Sequence, residues 1–402
     1  MTTTVGDGLF RLAARTSRMH ASDIREILKV TSRPEVISLA GGLPAPELFP
    51  VDRIRKAFES VLARDGQVAL QYGPSEGYQP LRDLVAARLS SLGIPAAAGN
   101  VLIINGSQQG LDLVAKLFLD PGDAVLCENP TYLGAIQAFD SYEACYVIAP
   151  MDDDGMQTDG LDGLLADGAV KFIYALPNFQ NPSGRTLSAE RRVALVEAAR
   201  RHGVPIVEDD AYGELRFEGE HLPSLRSLWP EGVIYLGTFS KILAPGFRLA
   251  WAIIPDVLYD RFVLAKQPAD LHTAMVTQMA AHDVASDSGA MAEHIERLRD
   301  VYRSRRDTML RALGEWFPPG CTWTQPQGGL FIWADLPPSI DTRELLAEAI
   351  EGHVAFVPGQ AFHADGSGSN TMRLNFSNVT PDRIEEGVMR LGRAIANRLG
   401  QR

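Results

Sequence analysis

The chain has 402 residues, 46% of them hydrophobic and 22% charged, with a formal net charge of -12. This length and balance suit a soluble globular protein with a large core, built as two domains or as one large and one small. The acidic balance offers no basic field to a nucleic acid or an anionic membrane surface. The three cysteines, Cys127, Cys145 and Cys321, are odd in number and unpaired in spacing. They predict a reducing, cytoplasmic setting and neither a disulfide framework nor a metal site. No apolar run reaches membrane-spanning length, and Met1 to Gly8 lacks a signal-peptide core.

Residues 1 to about 20 read as a loose arm. Ser22 to Lys29 predicts a short amphipathic helix capped by Ser22 or Asp23, with Ile24, Ile27 and Leu28 on one face and Arg25 elsewhere. Ser38 to Pro46 is a loop in which Gly41 and Gly42 allow close backbone approach. Gln71 to Gly77, containing Tyr72, is a second glycine-punctuated loop, and a helix follows over Pro80 to Leu89.

From residue 100 the rhythm becomes strand, loop, helix. Apolar runs at Val101–Ile104, Ala124–Cys127, Ala144–Ala149, Val170–Ala175 and Val204–Val207 predict strands. Helices are expected over Leu111–Leu119 and Ala189–His202, the latter stopped by Gly203. Alternating apolar strands and helices imply a mostly parallel sheet covered on both faces. Ligands of such sheets sit at the C-terminal ends of the strands. Ser107, Tyr132, Asn181 and Asp209 all fall at or just past strand ends. The turn Asn105 to Gly110 would also present backbone N–H groups at a helix N-terminus, a natural anion site.

Thr238-Phe239-Ser240-Lys241-Ile242-Leu243-Ala244-Pro245-Gly246-Phe247-Arg248 lies between two further apolar runs, Val233–Leu236 and Leu249–Ile254. A lysine placed between buried strands makes sense as a nucleophile, because desolvation and a nearby cation favour the neutral amine that forms a Schiff base. Thr238, Ser240 and Arg248 supply two hydroxyls and a guanidinium, a phosphate grip. Lysine, hydroxyls and arginine together point to a phosphorylated aldehyde, pyridoxal phosphate. Beyond about residue 285 the pattern changes. A long helix over Met291–Leu313 precedes strands at Cys321–Gln325 and Gly329–Asp335. A helix near 342–350, strands at Val354–Val357 and Met372–Phe376, and a last helix from Pro381 complete a separate α+β unit.

From Ser22 to the C-terminus these motifs resemble the class I/II aminotransferases of pyridoxal-phosphate fold type I. The subgroup they resemble holds 2-aminoadipate and kynurenine aminotransferases and the catalytic domain of MocR-type regulators. The resemblance implies an α/β large domain with a mostly parallel seven-stranded sheet, and a smaller α+β C-terminal domain. The expected division is an arm over 1–47, a large domain over 48–285 and a small domain over 286–402. By the same resemblance Lys241 is the Schiff-base lysine and proton carrier, and Asp209, chosen over Asp210 by its spacing to Ala211 and Tyr212, pairs with the pyridinium nitrogen. Tyr212 and Asn181 bond the cofactor's phenolic oxygen. Tyr132 stacks on its ring. Ser107 and Gln108 join Thr238, Ser240 and Arg248 around the phosphate. Tyr72 reaches the phosphate of a neighbouring subunit in a homodimer. Arg373 clamps the substrate α-carboxylate, Arg25 meets a distal carboxylate, and Gly41 and Gly42 line the side-chain pocket.

The reaction so implied is transfer of an amino group from an L-amino acid to a 2-oxo acid such as 2-oxoglutarate, with broad or 2-aminoadipate-like preference. A specialised biosynthetic aminotransferase, decarboxylase, lyase or oxidase of the same fold is the alternative. A cofactor-sensing transcription regulator would need a DNA-binding domain ahead of the Arg25 helix, where only about 20 residues precede it, and the chain as a whole is acidic.

Overall fold

The computed structural model describes residues 3–5, 9–19 and 35–400. The predicted 22–29 helix, with Arg25, lies outside the described residues. The central sheet has seven strands: β1 (Val101–Ile104), β2 (Ala124–Glu128), β3 (Cys145–Ala149), β4 (Val170–Ala175), β5 (Ile206–Asp209), β6 (Val233–Thr238) and β7 (Ala250–Ile253). Their order across the sheet is β1-β7-β6-β5-β4-β2-β3. All run parallel except β7, which is antiparallel to both neighbours. The fifth strand begins and ends later than its apolar run suggests. Pro205 carries no N–H for the ladder, and pairing continues through Asp209 opposite Leu236.

Helices cover both faces. In chain order the longer helices of the whole chain are α1 (Val51–Ala69), α2 (Gln79–Ser91), α3 (Ser107–Phe118), α4 (Leu133–Asp140), α5 (Ala189–His202), α6 (Asp256–Asp270), α7 (Met275–Ala285), α8 (Ser288–Trp316), α9 (Thr342–Glu351) and α10 (Pro381–Arg398), the last two packing with the small domain. On one face, Leu102, Ile104, Phe172, Val207 and Ile234 pack with Leu111, Val114, Phe139 and Phe262 of α3, α4 and α6. Alternate residues of the same strands point the other way, so Ile173, Ile206 and Val233 meet Leu195 and Ala199 of α5. α5 ends where Gly203 turns left-handed at φ 66°.

A second, antiparallel sheet follows α8. Its strands are β8 (Thr322–Trp323), β9 (Phe331–Asp335), β10 (Val357–Pro358) and β11 (Thr371–Asn375), in the order β8-β9-β11-β10. The single strand expected at Val354–Val357 is divided. Val354–Ala355 pairs in parallel with Ile37–Ser38, whereas Val357–Pro358 pairs with β11. Leu39 extends this tie, its N–H donating to Ala355 O and its carbonyl accepting from Asn375 N, both at 2.8 Å. The N-terminal segment is thereby stitched to the small sheet, and Ala40 to Gly42 come to lie against β11. Among the described residues no helix is long and apolar enough to cross a membrane.

Candidate active site

The C-terminal ends of β1, β2, β4, β5 and β6 share one edge of the large sheet, and β11 faces them across a cavity of about 370 Å³. Among the described residues, every site residue expected from sequence lines it except Tyr72 and Gly41. Gly41 is buried next to Gly42, which does line the cavity. Tyr72 is 78% exposed, with its ring edge-on to His272 at 5.7 Å. Within this chain it stands outside the cavity.

Lys241 donates from Nζ to the Gly42 carbonyl at 2.8 Å. Burial, reinforced by the charges of Arg373 and Arg248, lowers its pKa to about 8. A substantial share of its amine is therefore neutral near pH 8. Asp209 is 4% exposed. Its Oδ2 accepts from the Tyr174 hydroxyl at 2.9 Å, and its Oδ1 is buried without a partner. Burial raises its pKa to about 7 against the lowering pull of the Tyr174 hydrogen bond, with repulsion from Asp210 adding to the rise. The neighbouring Asp210 is fully engaged elsewhere, accepting from Asn178 Nδ2, Gly213 N and Tyr235 OH at 2.9 to 3.0 Å. Of the two carboxylates, Asp209 lines this cavity and Asp210 does not. Tyr174 escaped the sequence reading, although a phenol in a buried apolar strand signals that a polar partner is needed.

At one end of the cavity, Gly106 precedes α3 with φ 77°. A Cβ there would fall 2.4 Å from Arg248 Nη2, so only glycine lets the guanidinium lie over the turn. Ser107 opens α3, and its Oγ is buried without a partner. Thr238 Oγ1 accepts from Ser240 N at 3.0 Å and lies 3.0 Å from Ser240 Oγ. Arg248 itself sits in the left-handed region at φ 50°, a position that costs a non-glycine residue on the order of 1 kcal/mol or more. Helix N-terminus, hydroxyls and guanidinium together form an anion site. The Gln108 side chain has a different use: Nε2 donates to Gly134 O at 2.6 Å, and Oε1 lies 3.5 Å from the Tyr132 hydroxyl.

At the other end, Arg373 is 2% exposed. Its Nη1 donates to Asn181 Oδ1 and its Nη2 to Ala40 O, both at 2.8 Å, while Nε is buried without a partner. The guanidinium carbon lies 4.4 Å from the Phe331 ring centroid and 4.8 Å from that of Phe362. Burial lowers its pKa to about 10, which leaves it a cation at neutral pH. Asn181 Nδ2 also reaches the Tyr212 hydroxyl at 3.4 Å, and Lys241 Nζ is 5.8 Å from the Tyr212 ring centroid.

One cavity therefore holds an amine of lowered basicity, a buried acceptor that lacks a donor, and an anion site with an unused hydroxyl. That donor set fits a phosphorylated aldehyde with a basic ring nitrogen.

The sequence profile described as aminotransferase class I and II matches residues 34–391, and the chain belongs to that family. It is a pyridoxal-phosphate-dependent aminotransferase. It is 45% identical to the aromatic-amino-acid aminotransferase 1 of Thermococcus litoralis, over 94% of this chain and 92% of that protein. It is also 45% identical to the 2-aminoadipate transaminase of Thermus thermophilus, over 94% of both. Among solved structures, the α-aminoadipate aminotransferase of Thermus thermophilus complexed with N-(5'-phosphopyridoxyl)-L-leucine superposes with a TM-score of 0.90. That pair is 43% identical, covering 97% of this chain and 98% of the other.

Proposed function

We propose that the enzyme moves the amino group of L-amino acids with dicarboxylic, aromatic or branched side chains to a 2-oxo acid such as 2-oxoglutarate, by a ping-pong cycle. Supporting this breadth, two relatives of equal identity are named for different donors, aromatic amino acids and 2-aminoadipate. The observation that carries the reading is the shared cavity of Lys241, Asp209 and Arg373, where a poised amine and an unpartnered carboxylate oxygen face a buried guanidinium.

Pyridoxal phosphate, when bound, supplies an aldehyde that takes up an amino group and a ring that draws electrons from the carbon bearing it. The protein's residues do the rest. Lys241 would meet the aldehyde with its amine and move a proton at Nζ, for which a pKa of about 8 suits it. Asp209 Oδ1, buried without a partner, would accept from a protonated ring nitrogen, so that both of its oxygens have a donor. Tyr212 and Asn181 hold the phenolic oxygen, and Tyr132, oriented through Gln108, covers the ring. Ser107, Thr238, Ser240 and Arg248 hold the phosphate. Arg373 binds the α-carboxylate, pre-aligned by Asn181 and Ala40 and sandwiched by two phenylalanine rings. Gly41 and Gly42 border the side-chain space, and a Cβ at Gly42 would lie 3.1 Å from Phe331. Arg25 is proposed to meet a distal carboxylate.

The assembly we propose is a cytoplasmic homodimer with Tyr72 entering the neighbouring site. Its support is the exposed cluster of Tyr72, Leu70 and Leu271, each at least 47% exposed. The proposed domain division, an arm over 1–47 with bodies over 48–285 and 286–402, is supported by the seven-stranded sheet lying within 48–285 and the four-stranded sheet within 286–402, with the arm tied to the latter body through Ile37–Ser38 and Val354–Ala355.

The test is an absorbance titration of the purified enzyme. Glutamate is expected to move the visible cofactor band to the ultraviolet, and 2-oxoglutarate to restore it. Repeating it with 2-aminoadipate, leucine, phenylalanine and kynurenine ranks the donors. A band that no amino acid moves reversibly contradicts the proposal.

A further inference from the structure

Lys266 in α6 has no exposed side-chain surface and pairs with Asp270 one turn later, at 2.6 and 2.8 Å to its two oxygens. Its helical neighbours Phe262, Val263 and Ala265 belong to the apolar core. A buried ion pair in such a place contributes little to stability, since apolar residues of similar volume do as well or better. Its presence therefore calls for a different reason. Asp270 supplies one: its Oδ2 also accepts from Asn105 Nδ2 at 2.5 Å. Asn105 is the residue before Gly106 and Ser107, in the turn over which Arg248 lies. The backbone N–H of Asn105 is fixed independently by Gln109 Oε1 at 2.8 Å. Just past α6, Thr273 Oγ1 donates to the Ile103 carbonyl at 3.4 Å, a second tie between this segment and β1.

We infer that Asn105, Asp270 and Lys266 are positioning residues, which lock the turn before α3 in the shape that receives the cofactor's phosphate. Asp270 anchors the turn through Asn105. Lys266 cancels the negative charge that would otherwise stand close to a bound phosphate. None of the three needs to touch the cofactor. The inference rests on reading Ser107, Thr238, Ser240 and Arg248 as the phosphate grip.

The experiment compares dissociation constants of pyridoxal phosphate and of pyridoxal, which lacks the phosphate, on full-length protein freed of cofactor. Absorbance of the visible band follows both. The wild type is expected to bind the phosphorylated form far more tightly. Asn105→Ala is expected to reduce that advantage about tenfold, the effect of losing a hydrogen bond to a charged group, while pyridoxal affinity stays within about twofold. The double variant K266M/D270A should give a similar reduction, and adding Asn105→Ala to it should reduce the advantage no further, because the three act as one unit. An unchanged advantage in Asn105→Ala, fully additive losses, or equal weakening of both ligands overturns the inference. A wild type that binds both ligands alike instead overturns the phosphate-grip reading itself.

Discussion

The two ends of the cavity are built differently. The proposed phosphate end comes from the loops at β1, β6 and β7, three strands that are neighbours in one sheet. Their register fixes Ser107, Thr238, Ser240 and Arg248 relative to one another before any other part of the molecule is considered. The Arg373 end joins three remote segments: the guanidinium on β11 bonds to Asn181, 192 residues away in sequence, and to Ala40, 333 residues away. Its geometry depends on how the small sheet and the N-terminal segment dock against the large sheet. The part proposed to hold the cofactor is thus placed on the most constrained scaffold. The part proposed to receive the substrate carboxylate lies on the junction.

Lys241 stands between the two ends, and its loss should have the largest effect. Lys241→Ala is expected to lower transamination on the order of 10⁴-fold, the upper range for a proton-transferring side chain, with an unchanged far-ultraviolet dichroism spectrum. Arg373→Ala should act at one end only. The Michaelis constants for amino acid and 2-oxo acid are expected to rise about a hundredfold, as befits loss of a buried charge contact worth 2 kcal/mol or more, and the visible band should persist. Steady-state kinetics with both substrates checks this. Equal losses of cofactor and substrate affinity would erase the distinction between the ends.

Asp209 yields a pH prediction of intermediate size. In cofactor-free protein its pKa is raised to about 7 from an ordinary 3.8. Between these values the folded state keeps a proton that the unfolded chain has released, so stability falls as pH rises from about 4 to about 7. Buried Glu128 and Glu208, raised to about 7 as well, contribute in the same direction. Asp209→Asn should therefore flatten part of the slope in urea midpoint against pH. An unchanged slope would mean that the carboxyl is not held protonated. The smallest effect concerns Lys241. Reloading with pyridoxal phosphate should accelerate as pH rises through about 8 and level off above it. Removing the Arg373 charge should move that inflection upward by less than about one pH unit.

The proposed phosphate end was legible in the sequence because its residues cluster in two short motifs at strand ends, Asn105–Gln108 and Thr238–Arg248. Asp209 was legible through its spacing to Tyr212. The Arg373 contacts with Ala40 and Phe362 were not, because they arise from strand pairings between Ile37–Ser38 and Val354–Ala355 that no local pattern announces. Tyr174 was hidden by the apolar character of its own strand. Gln108 was read with Ser107 at the helix N-terminus; that its side chain turns toward Tyr132 and Gly134 is a matter of rotamer that sequence does not reveal. Helices α1, α6 and α7 were not singled out in the sequence, α1 despite an amphipathic period.

The most direct test of the division between the ends is a crossed pair of variants, Arg248→Ala and Arg373→Ala, each assayed for two dissociation constants. One is that of pyridoxal phosphate; the other is that of a non-reactive dicarboxylate such as maleate on the loaded enzyme. Arg248→Ala should weaken the cofactor by about a hundredfold and the dicarboxylate by less than about threefold, and Arg373→Ala should do the reverse. Finding that either variant weakens both ligands to the same degree would contradict a cavity with two separately built ends.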